Sequence, residues 1–130
     1  MIDFKTLTLT WKPNQFLVLP AGYPAAAKPH RASPVFAATP AEILAALKAV
    51  ALAEPRTSVL SEGPGKLELV QRSKLFRFPD FVTVESVAMA PGRSALAIYS
   101  RAKLGIRDFG VNRARIERWL AAIEAKLPKT

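Results

Sequence analysis

Between residues 58 and 102 the chain alternates apolar and polar residues in five short runs with little chain between them. Ser58–Leu60, Leu67–Ser73, Leu75–Phe78, Phe81–Ala88 and Ala95–Ala102 carry the period-two pattern of strands, with Gly63-Pro64-Gly65, Pro79-Asp80 and Pro91-Gly92 as turns between them. A parallel connection needs about a dozen residues or more, usually a helix, and these gaps are shorter. The spacing therefore predicts antiparallel hairpins.

Two helices flank the hairpins. Thr39-Pro40-Ala41-Glu42 reads as a helix start, with Thr39 as N-cap, Pro40 at the first helical position and Glu42 closing a capping box. This helix is expected over about 40–53, burying Ile43, Leu44, Leu47, Val50 and Ala51, before Pro55 stops it. The second helix is expected over about 112–126, with Asn112 as N-cap and Val111 and Ile116 as a hydrophobic staple. Ile116, Trp119, Leu120, Ile123 and Leu127 form its apolar stripe, which makes Trp119 a core anchor.

Ahead of these elements, residues 4–11 alternate as a first strand, and Phe16–Leu19 as a short extended piece. Prolines at 20, 24, 29 and 34, spaced by alanines, make 20–34 an extended arm without regular structure. The expected fold is α+β: a single domain whose antiparallel sheet of about five strands carries two helices on one face. The other sheet face, with Glu68, Arg72, Thr83 and Glu85, is either wet or covered by the N-terminal arm.

At 130 residues and half apolar, the chain can bury a core without staples. The absence of cysteine excludes disulfides, thiolate metal sites and cysteine nucleophiles. No run is long and apolar enough for a membrane span, and the start lacks a secretory pattern, so a cytoplasmic location is the default expectation, with peripheral membrane association compatible with the charge. That charge is +9, which predicts attraction to an anionic partner.

The excess is concentrated near one end of the chain. Residues 101–118 carry Arg101, Lys103, Arg107, Arg113, Arg115 and Arg118 against Asp108 and Glu117. Arginines in the first turn of a helix oppose its dipole by about 0.3–1 kcal/mol, so Arg113 and Arg115 need an offset. Asp108 folding back on them is one candidate; an external anion held by helix amides and arginines is the other. Gly105 and Gly110 bracket the turn LGIRDFG, which contains neither a GxxxxGK[ST] nor a GxGxxG phosphate loop.

The string SRAKLGIRDFGVNRARIERWLAAIE, preceded by RSKLFRFPDFVTVE and AIYSR, resembles the bacterial domain-of-unknown-function family numbered 1499 over about residues 34–127. Members close with a serine-arginine strand end, a G-x-x-D-[FL]-G-V-N turn and an R-[RK]-[IV]-led helix. The matching positions are Arg72, Ser73, Phe76, Phe78, Asp80 and Val82 in the hairpins, Ser100 and Arg101 at the strand end, and Gly105, Asp108, Phe109, Gly110, Val111, Asn112, Arg115 and Ile116 in the turn and helix. The resemblance implies no activity and no cofactor. Many members look exported or lipid-anchored, with cysteines near their N-terminus, which this chain lacks.

No catalytic constellation accompanies the basic junction. His30, the sole histidine, lies beside Lys28 and Arg31 without a local carboxylate or metal-ligand partner. Asp80 reads as a turn residue that could pair with Asp108 across the sheet end. Phe76, Phe78, Phe81 and Tyr99 suit a nucleic-acid stacking platform, but a small sheet needs them as core, so nucleic acid is not favoured. Serine and arginine of Ser73 or Ser100 with its neighbour face opposite ways on a strand.

The leading expectation is a non-catalytic domain binding an anionic or amphipathic small ligand, or an acidic partner, at Ser100, Arg101, Arg107, Asp108, Asn112, Arg113 and Arg115. One alternative is an enzyme or lipid carrier with a cavity between sheet and C-terminal helix, by loose analogy to helix-grip folds. The other treats the basic cluster as a structural clasp.

Overall fold

In the computed structural model, which describes residues 2–129, the order is β1 (Gln15–Leu19), β2 (Arg31–Ala32), α1 (Pro40–Leu52), β3 (Thr57–Gly63), β4 (Lys66–Arg72), β5 (Pro79–Ala90), β6 (Arg93–Ala102) and α2 (Val111–Lys126). The six strands form one sheet in the order β2-β1-β6-β5-β4-β3. The hairpins β3–β4, β4–β5 and β5–β6 are antiparallel, as their short connections require. β1 joins β6 antiparallel, whereas β2 returns parallel to β1, so the sheet is mixed at one edge.

Alternation along the strands sorts two cores. Val18, Leu67, Leu69, Val82, Val84, Leu96 and Ile98 face the helices, which present Ile43, Leu47, Ala51, Ile116, Trp119, Leu120 and Ile123. Thr39 and Glu42 close the expected capping box on α1. The opposite face buries Leu17, Leu19, Ala97 and Tyr99 beneath Phe4 and the partly buried Ile2, Leu7, Leu9, Tyr23, Ala25 and Ala27. That face is therefore covered, by the N-terminal segment and the arm together.

Several expected elements differ. Residues 4–11 form no strand: the Asp3 carboxylate accepts the Lys5 amide and the Asp3 carbonyl accepts those of Thr6 and Leu7, rolling the chain into a turn. Their apolar side chains cover the sheet instead of joining it. The arm is not wholly irregular, since the His30 and Ser33 amides reach the Leu17 and Leu19 carbonyls and create β2.

Leu75–Phe78 is a loop, because Ser73 and Phe78 close on each other through the Ser73 amide and the Ser73 hydroxyl. Pro79-Asp80 is not a turn but the start of β5, where a proline costs no earlier ladder bond. Phe76 and Phe78 consequently stack on each other in solvent, 5.4 Å apart, while Tyr99 is buried as core.

Candidate functional site

β4, β5 and β6 end together on the helix-facing side of the sheet. The register sets Gln71 beside Asp80, and Ser100 beside Val82 two residues further along β5, so Gln71, Asp80 and Ser100 point toward the first turns of α2. Arg115 meets them there with its side chain 4% exposed. Its guanidinium donates to Asp80 Oδ2 (2.8 Å), Gln71 Oε1 (2.8 Å), Asn112 Oδ1 (2.7 Å) and Ser100 Oγ (3.1 Å). A buried guanidinium is tolerable only with such pairing. Burial pushes the Asp80 carboxyl up, against the pull of Arg115.

Gln71 extends the network outward by donating to Glu54 Oε1 (2.9 Å), which Arg118 clasps from the other side. Burial works against ionisation of Glu54, but the Arg118 and Gln71 hydrogen bonds and the Arg118 charge bring its carboxyl down to about 2.

The start of α2 is built differently from the expectation. Its N-cap is Gly110 at φ 80°, not Asn112, because the chain enters the helix through a left-handed turn that a glycine accommodates. Asp108 supplies the missing acceptor: Oδ1 takes the Gly110 amide (2.9 Å) and Oδ2 takes the Asn112 amide (3.1 Å) and Asn112 Nδ2 (2.8 Å). Its negative charge thus complements the helix dipole directly. Asp108 forms no ion pair with an arginine, so the expected Asp108 clasp gives way to an Arg115–Asp80 clasp.

Asn112 is completely buried, and both ends of its amide are used. It donates to Asp108 and to the Asn14 carbonyl, and accepts from Ser100 Oγ (2.6 Å) and Arg115. Val111, now the first helical residue, is half exposed and makes no staple with the buried Ile116.

The arginines do not converge. Arg101 projects from the opposite sheet face, donating to Thr83 Oγ1 and lying over the Phe81 and Tyr99 rings at 5.9 and 5.0 Å. Its separation from Ser100 follows from strand alternation. Arg113 is exposed and pairs with Glu117 one turn on. Arg107 alone of the four is exposed in the loop before α2.

An open cleft of about 380 Å3 lies at this end of the sheet. Arg115, Asp80, Gln71 and Asp108 belong to its lining, together with Arg56, Arg72 and Arg107 and the apolar Phe78, Leu104, Phe109 and Val111. Arg56, Arg72 and Arg107 have no carboxylate within ion-pair distance among the described residues. Arg72 and Phe78 stood among the family-like positions, but nothing in the sequence singled out Arg56. It lies between α1 and β3 with a left-handed φ of 57°, and its Nε donates to the Arg72 carbonyl (3.0 Å). Leu104 and Phe109 did carry a signal: apolar residues in a glycine-bracketed loop with no strand or helix period to bury them.

The three non-glycine residues with positive φ, Arg56, Arg77 and Phe109, all lie in connections bordering this cleft. Each costs about 1–2 kcal/mol relative to the right-handed region. The space where the enzyme or lipid-carrier alternative placed a cavity, between sheet and α2, is filled by Ile116, Trp119, Leu120 and Ile123, all fully buried.

His30 serves the fold. Its Nδ1 accepts the Leu17 amide (2.8 Å) and its ring stacks on Phe16. Burial, aided by the Arg113 charge, lowers its pKa from 6.5. No three His, Cys, Asp or Glu side chains converge as a metal set among the described residues. No described helix is long and apolar enough to cross a membrane.

Comparison with known proteins adds to this geometry. No curated protein matches the chain. A family model matches residues 7–123, taking in β1 and the arm as well as the hairpins and the turn into α2. The family it describes is "Protein of unknown function (DUF1499)", and the chain belongs to that family.

Proposed function

We propose that the cleft at the ends of β4, β5 and β6 binds an anionic ligand with an apolar portion. The observation that carries this reading is the meeting of three guanidiniums without a carboxylate partner among the described residues, Arg56, Arg72 and Arg107, the first two each giving one donor to a backbone carbonyl, with the apolar surfaces of Phe78, Leu104, Phe109 and Val111 around one concavity. Guanidinium forks match phosphate and carboxylate oxygens, and apolar walls favour an attached hydrocarbon. Within this reading Arg115 and Asp80 form a rigid floor, Ser100 and Asn112 hold that floor, and Arg101 and Arg113 have no part in the ligand's grip.

The reading is one of binding rather than turnover. Ser73, the only hydroxyl in the lining, is engaged with the Phe78 amide, and no histidine reaches the cleft. Calorimetric titration with hexyl phosphate tests it, beside inorganic phosphate and hexanol as separate halves of the probe. Hexyl phosphate is expected to bind more tightly than either half, and Arg107→Gln to weaken it about tenfold by removing one charged hydrogen-bond donor. Arg101→Gln should leave the affinity unchanged. Absence of binding, or equal losses in the two variants, would overturn the assignment.

A further inference from the structure

The end of the molecule onto which the cleft opens differs from the remaining surface. The register of β1, β3, β4, β5 and β6 brings out at one end the chain entering β1, the α1–β3 link, the β4–β5 loop and the β6–α2 loop. Of the eleven large hydrophobic side chains that are exposed among the described residues, eight lie in these connections or at the first residue of α2. Trp11, Leu75, Phe76, Leu104, Ile106 and Phe109 join the Phe78 and Val111 of the cleft, and Phe109 is 94% exposed. Isolated exposed leucines need no explanation, but this concentration marks a surface made to be covered.

These connections, with the last residue of β4, carry Arg56, Arg72, Lys74, Arg77, Lys103 and Arg107, all exposed and none ion-paired among the described residues. Asp108 is the only acid in residues 73–78 and 103–110, and its carboxylate is turned to the amides of Gly110 and Asn112. Glu54 in the α1–β3 link is clasped by Arg118, so the tip is both apolar and predominantly positive. A second copy of this chain would meet it with like charge. A nucleic acid would satisfy the cations but leave Leu75, Leu104 and Ile106 in water. The headgroup region of an anionic bilayer answers both halves, offering phosphates at the depth where cations sit and acyl chains just beneath.

We infer that the loops 73–78 and 103–110 form a membrane-docking tip for anionic phospholipid surfaces, from which the cleft takes its anionic amphiphile. This last step rests on the cleft reading above; the docking itself rests on the loops. Phe76, Phe109 and the aliphatic tips enter the headgroup–acyl boundary, and the lysines and arginines between them pair with lipid phosphates.

Cosedimentation of the full chain with vesicles of phosphatidylcholine, and of phosphatidylcholine mixed with phosphatidylglycerol, tests the inference. Binding is expected only to the mixed vesicles, weakening as salt screens the charges. Lys74→Gln with Lys103→Gln should lower the partition coefficient about 25-fold, at about fivefold per cation near an anionic surface. Phe76→Ser with Ile106→Ser, one from each loop and neither in the cleft lining, should reduce binding to background. All four residues are exposed, so melting temperature and hexyl phosphate affinity serve as controls for folding and for the cleft.

Vesicle binding lost in both variants, with hexyl phosphate binding kept, supports the inference. Hexyl phosphate binding without vesicle binding overturns the docking tip alone. Vesicle binding lost in both variants, without hexyl phosphate binding in the wild type, overturns the cleft reading and leaves the tip standing. Absence of both overturns both. Vesicle binding that ignores the Phe76 and Ile106 changes, or a solution dimer dispersed by Phe76→Ser, also overturns the docking tip, the second by assigning its cover to another copy of the chain.

Discussion

Replacing Asp80 by asparagine isolates the charge on which the floor of the cleft depends. The change keeps shape and one acceptor oxygen, but leaves the Arg115 guanidinium, 4% exposed, without its only carboxylate among the described residues. Removing one partner from a buried ion pair costs about 3–5 kcal/mol when the survivor has nothing else. Here Arg115 keeps Gln71, Asn112 and Ser100 as acceptors, so the charge term is what disappears and the expected loss is about 2–3 kcal/mol. For a domain of this length about 3–4 °C of melting temperature accompanies each kcal/mol, giving a fall of about 6–12 °C.

Urea unfolding followed by circular dichroism measures the loss, provided the m-value is unchanged. Arg115→Met completes the test. Alone it strands Asp80, whose carboxyl burial already favours the neutral form; combined with Asp80→Asn it should cost less than the sum of the two single changes. A loss below about 0.5 kcal/mol for Asp80→Asn would place the pair in the class of solvated surface bridges and refute the account of a dry clasp.

Stability should depend on pH through His30. Its folded pKa lies below 6.5, so the unfolded chain takes up the proton first; the contribution is complete above pH 6.5 and is lost as pH falls through the folded value. His30→Asn, which can retain an acceptor for the Leu17 amide, should remove this dependence from urea midpoints measured below pH 6.5, and an identical slope in both proteins would contradict the reading. Asp108→Ala should cost about 1–2 kcal/mol by uncapping α2 and freeing the buried Asn112 amide, while Arg113→Ala, whose partner Glu117 is exposed, should change unfolding by less than about 0.5 kcal/mol. The reverse order of these two losses would mean that the cap is not what anchors the helix.

The parts legible in the sequence were those written in short-range chemistry. Thr39 and Glu42 lie three residues apart and cap α1 wherever the rest of the chain goes. The apolar spacing of α2, the opposite facings of Ser100 and Arg101, and the hairpin order from β3 to β6 follow equally from local periodicity and connection length. Residues 4–11 misled because their alternation suits a strand and a cover equally well, and only the sheet beneath them decides between the two.

Arg115 marks where local information ends. As a sequence position it was one basic residue among several near a helix start, with Glu117 and Asp108 the nearest carboxylates along the chain. Its actual partner, Asp80, lies 35 residues away and reaches it because β4, β5 and β6 pair in one register and α2 crosses their ends. The positions of Arg56, Arg72 and Arg107 around one cleft likewise depend on three separate connections meeting in space. The sequence by itself determined the fold class, both helices and the basic, apolar-studded loop before α2. The tertiary structure alone decided which arginine is buried as a clasp, which lies on the far face and which line the rim of the cleft, because desolvation and pairing act through space and carry no imprint in chain order.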